Sequence, residues 1–187
     1  MNTVVTSKEE ILRAALSICH EKGIQALSIR AVAQACNISV GSVYNYFPNK
    51  AELVALSVQE IWGSIFQLDA PFPEHPRFTD FIQAFYTQIR LGSAAYPNFF
   101  AAHSLNFAAS ERARGTEVME HYLDTIRQKM TSVLTQDACV RPDLLKEPTE
   151  VQTFIDFCLD HILGSLVLQK NDCDSLLTVL NRLLYAQ

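Results

Sequence analysis

Ser42, Tyr44, Asn45, Tyr46 and Lys50 have the types and spacing to do chemistry, and the chemistry they suit is recognition. The hydroxyl and amide at 42 and 45 can hydrogen-bond a base edge or a phosphate oxygen. The two tyrosines carry hydroxyls on flat apolar rings, and Gly41 lets a helix backbone come close to what it faces. Lys50 follows Pro48 in the first turn of a new helix, where free backbone N–H groups already favour an anion. Catalysis would need a nucleophile with a base, paired carboxylates, or ligands at metal spacing. The chain has no HExxH, no GxSxG and no Gly-rich phosphate loop, and its five histidines are scattered. No enzymatic activity, metal or cofactor is expected.

The elements that must position these residues are short. Ser28 caps a helix whose apolar side is Ile29, Val32, Ala33 and Cys36. Asn37 stands where the chain reverses, and asparagine tolerates the left-handed backbone better than other non-glycine residues. Ser39 caps a second helix with Val43 and Phe47 pointing inward, four residues apart. Pro48 stops it, and Asn49 with Glu52 caps the next. Two short helices joined by a tight turn form a helix-turn-helix, whose second helix is built to enter the major groove of DNA. A small helical core with a merely solvated face is the simpler alternative, but it gives the set from Gly41 to Lys50 no task.

The wording of the stretch closely resembles the DNA-binding signature of the TetR family of bacterial transcription regulators. In that family a Ser-x-Gly-Ser/Thr-x-Tyr-x-x-Phe run precedes Pro-x-Lys-x-x-Leu; here it runs from Ser39 to Phe47, then Pro48, Lys50 and Leu53. The likeness reaches back through Leu27 and Gly23 to Ile11, about the first third of the chain. Two departures stand out: Cys36-Asn37 replaces the usual Ala-Gly, and Val40 stands where Lys or Arg is frequent. The resemblance implies an all-α fold of about nine helices, with a DNA-binding head at 1–53 and an effector-binding and dimerisation domain at 54–187. The residues expected against double-stranded DNA are Ser28, Arg30, Ser39, Val40, Gly41, Ser42, Tyr44, Asn45, Tyr46 and Lys50.

Composition sets bounds on this reading. With 187 residues, 49% of them hydrophobic and only six glycines, the chain suits a helical globular protein. No stretch is apolar enough to span a bilayer, and the first ten residues lack the apolar core of a signal peptide, so the cytoplasm is the expected compartment. Five cysteines form no CxxC pair and fall mostly on apolar stripes, which favours buried thiols. The net charge of −5 is unevenly spread. Residues 1–53 hold five basic side chains (Lys8, Arg13, Lys22, Arg30, Lys50) against four acidic (Glu9, Glu10, Glu21, Glu52), so they carry +1 and the remainder −6. That is a thin electrostatic footprint, and a dimer would have to multiply it.

Farther along, a first helix is expected from Ser7 to Lys22, with Ile11, Ala15 and Cys19 packing on Val32, Val43 and Phe47. A helix from Lys50 to Phe66 is apolar on two sides and would bridge two cores. After the proline-rich link at 70–76, helices are expected at 77–95, 97–107 and 116–136, the last with Val118, Tyr122, Ile126, Met130 and Val133 inward. Ser110 to Gly115 is expected as a solvated loop. Thr149 with Gln152 caps a further helix, and 172–185 forms the last.

Aromatic residues recur at helical spacing in the second part, where packing into a core is the ordinary outcome. By family resemblance, Trp62, Phe66, Phe85, Tyr86, Phe100, His103, Phe107, Tyr122, Phe154 and His161 are the candidates to line an effector pocket. The last two helices carry more apolar surface than one domain can cover, so Phe157, Leu163, Gly164, Val167, Leu177, Leu180 and Leu184 are expected at a homodimer interface. The function implied is a repressor that binds a palindromic operator as a dimer and is released by a small hydrophobic or aromatic effector. A helical carrier of hydrophobic molecules that never touches DNA is the alternative.

Overall fold

The computed structural model describes residues 6–67, 77–96, 99 and 109–185, with side chains from 118 onward in the last of these. Among them are eight α-helices and one 3-10 turn: α1 (Lys8–Lys22), the turn Ile24–Ala26, α2 (Ile29–Ala35), α3 (Val40–Tyr44), α4 (Lys50–Phe66), α5 (Phe78–Ser93), α6 (Ala109–Gln136), α7 (Pro148–Val167) and α8 (Asp174–Tyr185). The all-helical class is as expected. The helix expected at 97–107 lies outside the described residues, except Phe99, and Phe100, His103 and Phe107 go with it.

Two compact units divide the chain: residues 1–65 with 92–120, and residues 66–91 with 121–187. The first contains the head. Ser7 accepts the Glu10 N–H while the Glu10 carboxylate accepts the Ser7 N–H, a reciprocal cap that satisfies two free donors of α1. Gly23 ends α1 at φ 78 and ψ 160, a backbone region essentially confined to glycine. Ser28 caps α2 through the Ala31 N–H at 3.1 Å. Asn37 lies at φ 53, with its N–H on the Gln34 carbonyl and the Ile38 N–H on that of Ala33, a Schellman closure made by asparagine in glycine's place. Ile11, Ala15, Cys19, Val32, Val43 and Phe47 are all buried to within 1%, the core the stripes require.

Three element boundaries differ from expectation. Residues 110–115 are helical, not loop, so α6 begins at Ala109. Glu111, Arg112, Ala113 and Arg114 are good helix formers, and one internal glycine costs only about 1 kcal/mol. The buried stripe of α6 is Leu123, Ile126, Met130 and Leu134, and Tyr122 and Val133 are half-buried beside it. Helix α7 starts one residue before Thr149, because Pro148 occupies the first helical position, where its missing N–H is not needed. The Glu150 carboxylate accepts the Glu147 N–H at 3.2 Å. Helix α3 is only five residues long; the Phe47 N–H still reaches the Val43 carbonyl at 2.9 Å and carries Phe47 inward.

The second unit is tied together at Asp137, a buried carboxylate that accepts the Phe78 N–H at 2.8 Å, the Tyr185 hydroxyl at 2.6 Å and the Cys139 N–H at 2.9 Å. One side chain thus fastens the start of α5 and the end of α8 to the end of α6. Burial, and then the Asp137 hydrogen bond, push the Tyr185 phenol up to about 12.

Candidate nucleic-acid interface

Helix α3 is anchored from beneath and open above. Val43 and Phe47 are fully buried, while Val40 is 38% and Tyr44 48% exposed. Gly41 and Asn45 are also exposed. A Cβ at Gly41 would touch only the Ser39 hydroxyl, at 3.7 Å, so packing among the described residues does not demand glycine there. Ser39 accepts the Ser42 N–H at 3.0 Å, and the two hydroxyls lie 2.8 Å apart. They form a preset pair at the N-terminus of α3, where backbone donors favour an anion. Arg30 is exposed on α2; Ser28, half-buried, is occupied with capping. Lys50 is exposed in the first turn of α4, whose Glu52 N–H is received by the Asn49 side chain at 2.9 Å.

Tyr46 differs from its neighbours. Its ring is half-buried and its hydroxyl donates to the Thr6 carbonyl at 2.6 Å, across forty residues of chain. It fastens the segment before α1 to the end of α3, so its polar group is used within the head. Lys8 joins the same corner, with its Nζ 5.3 Å from the Phe47 ring centroid and 4.0 Å from the Glu52 carboxylate. Nothing in the sequence pattern marks either contact. Nor does it mark an open hollow of about 500 Å³ lined by Thr6, Glu10, Arg13, Ala14, Ser17, Ala35 and Cys36. Burial pushes the Cys36 thiol above its ordinary value, and the Glu10 charge adds to this.

The aromatic residues expected around an effector fall into two groups. Trp62, in the first unit, meets Phe99 edge-on at 5.1 Å. In the second unit Phe66 stacks between Phe85 at 6.1 Å and Tyr122 at 6.3 Å, and Phe154 lies 6.1 Å from Phe78. Tyr86 is buried and donates to the Lys170 carbonyl at 2.8 Å. His161 is half-buried, with Nε2 3.4 Å from the Ser175 hydroxyl. Among the described residues no group of three His, Cys, Asp or Glu side chains could hold a metal, and no helix is long and apolar enough to cross a membrane.

The expected interface residues separate clearly. Phe157 is 51% and Val167 44% exposed, Gly164 is exposed, and Leu163 and Leu177 are half-buried. Leu180 and Leu184 are fully buried, because the 3.6-residue period turns them into their own unit. Val179 and Leu183, together with Leu168 at the end of α7, hold the outer side in their place.

Among the described residues the chain is all helical, with a helix-turn-helix whose second helix has a polar and aromatic outer face. Residues 11–56 match the family model described as bacterial regulatory proteins, tetR family, so this segment is similar to the head of that family. The repressor KstR of Mycolicibacterium smegmatis is 40% identical over 47 residues, 25% of this chain and 23% of that one. The chain therefore matches about a quarter of the length of its curated relatives. In fold, the likeness extends much farther. The transcriptional regulator FadR of Bacillus subtilis, solved in complex with stearoyl-CoA, aligns over 97% of this chain and 100% of its own, at 18% identity and a TM-score of 0.67. BioQ, solved with its double-stranded DNA operator, aligns over 95% of this chain and 91% of its own, at 14% identity and a TM-score of 0.58.

Proposed function

We propose that the protein is a ligand-responsive transcriptional repressor that acts in the cytoplasm as a homodimer on a palindromic DNA operator. The observation that carries this is the outer face of α3: Val40, Gly41, Tyr44 and Asn45 stand exposed on a helix whose inner residues are locked in the core. A carrier of hydrophobic molecules has no use for such a face. Ser39 and Ser42 set the helix on the phosphate backbone, Tyr44 and Asn45 reach base edges, and Lys50 adds a phosphate contact from α4. Arg30 and the backbone around Ser28 flank the same groove.

The effector is a small hydrophobic or aromatic molecule. Phe66, Phe85, Tyr86, Tyr122, Phe154 and His161, all in the second unit, are the candidates for its surroundings. Phe66 is the last residue of α4, and its ring stacks between Phe85 and Tyr122. A ligand that displaces those rings moves the end of the helix whose beginning carries Lys50. A gel shift with the DNA flanking the protein's own gene tests the reading directly, with stearoyl-CoA and a panel of aromatic compounds as additions. A retarded band that one of them releases is the expected result. Failure to bind that DNA, or any DNA selected from random sequence, overturns it.

A further inference from the structure

Gly164 lies in the last turns of α7, exposed, and a Cβ built there would meet nothing within 4 Å. Inside a helix glycine is disfavoured relative to alanine, so nothing among the described residues of this chain calls for glycine at a position with open space around it. The outer stripe around it carries apolar Phe157, 51% exposed, and Leu168, 71% exposed, with the exposed Asp160 and the half-buried His161 between Phe157 and Gly164. Phe157 and Gly164 are seven residues apart, two helical turns, and so lie on one seam about 10 Å from each other. The stripe therefore carries its bulkiest side chain and a missing side chain one heptad apart.

We infer that α7 packs antiparallel against α7 of a second copy about a two-fold axis at residues 160–161, each Phe157 seated in the notch left by the partner's Gly164. This rests on the homodimer proposed above and assigns its register. A two-fold axis crossing the helices maps residues at equal distances on either side onto each other, so knob meets notch twice. An axis parallel to the helices would set ring against ring and notch against notch. Hydrogen bonding agrees with the crossing arrangement, since Asp160, an acceptor, then faces the partner's His161, a ring that can donate, and not a like carboxylate. Val179 and Leu183, 51% and 42% exposed on α8, flank the contact and extend its apolar area.

Exchanging the two side chains tests the register. Gly164→Phe alone sets ring against ring, and Phe157→Ala alone leaves notch against notch. Each should weaken dimerisation on the order of tenfold or more in sedimentation or light scattering, with helical content unchanged. The double variant Phe157→Ala/Gly164→Phe restores knob opposite notch and should return the dimer to within a few-fold of wild type. As a second reading, mixed Phe157→Cys and Gly164→Cys chains should form a disulfide-linked heterodimer that neither variant gives alone. A wild-type dimer with neither rescue nor heterodimer crosslink overturns the register. A wild-type chain that stays monomeric at micromolar concentration overturns the dimer itself, and the register with it.

Discussion

Tyr44 and Tyr46 lie two residues apart with opposite assignments. Tyr44 is half exposed on the outer face of α3, whereas the Tyr46 hydroxyl is bonded to the Thr6 carbonyl. Tyr44→Ala should therefore weaken operator binding strongly without loss of stability. Lys50→Ala should weaken binding about uniformly across sequences and reduce the salt slope by about one per protomer. Gel shifts across a salt series read both, and unchanged affinity in the two variants would remove this face from DNA contact. Tyr46→Phe should instead lower unfolding free energy by about 1 kcal/mol, the usual net value of one hydrogen bond. The sequence placed both rings on the recognition face but could not separate them, because the Thr6 tether spans forty residues and leaves no local pattern. The Tyr185 phenol is raised from 10 to about 12, by burial first and Asp137 second, so the folded state holds its proton more tightly than the unfolded chain. Its stabilising contribution is thus complete below about pH 10 and is lost as pH rises toward 12. Urea titrations over that range should show a steeper decline in wild type than in Tyr185→Phe.

At the scale of elements, close approach decides more than propensity. Gly92, near the end of α5, is so near α4 that a Cβ there would stand 2.9 Å from the Ile65 Cα and 3.1 Å from its carbonyl oxygen. Those are backbone atoms that cannot turn aside, so Gly92→Ala should cost about 1–3 kcal/mol despite alanine's better helix propensity. A melting temperature equal to or above wild type would show that the crossing is looser than the structure has it. The contrast with Gly164, where alanine meets nothing, separates two glycines that look alike in a sequence window. Helix existence was legible because periodic stripes such as Ile11, Ala15 and Cys19 repeat at the helical period. Phase was less so. The stripe of α6 runs through Leu123 and Leu134, and α8 buries Leu180 and Leu184 while exposing Val179 and Leu183, since a leucine-rich helix offers several candidate faces. Substitution measures the phase of α8. Val179→Glu should leave the monomer folded and weaken the proposed dimer, whereas Leu180→Glu should put an unpaired charge in the core and yield unfolded or insoluble protein. Soluble, helical Leu180→Glu chains would refute the observed phase.

For the whole molecule the proposed function requires that the second unit influence the head. Legibility divides along the same line. A head that presents fixed groups to DNA, as proposed, needs a set spacing such as that from Ser39 to Leu53, whereas helices that enclose a ligand would need only apolar volume. A dimer must hold its two recognition helices roughly 34–36 Å apart to meet successive half-sites, and a small change in that spacing suffices to lose one of them. On the proposed reading Phe66 would be the lever, because it ends α4 while its ring is stacked on Phe85 and Tyr122. An effector acts only to the extent that it prefers the arrangement in which those rings, and with them the end of α4, have moved; equal affinity for both arrangements shifts nothing. The coupling is then necessarily mutual. Operator DNA, which prefers the unshifted spacing, should weaken effector binding by the same factor by which effector weakens operator binding, typically about 5–150-fold. Phe66→Ala removes the stacked ring while leaving the outer face of α3 in place, so it should bring that factor toward one. Calorimetric titration of effector into free and operator-bound protein, in wild type and in Phe66→Ala, measures each quantity. Equal effector affinity in the two wild-type titrations would mean that the second part does not govern the first, and a Phe66→Ala factor equal to that of wild type would move the lever elsewhere.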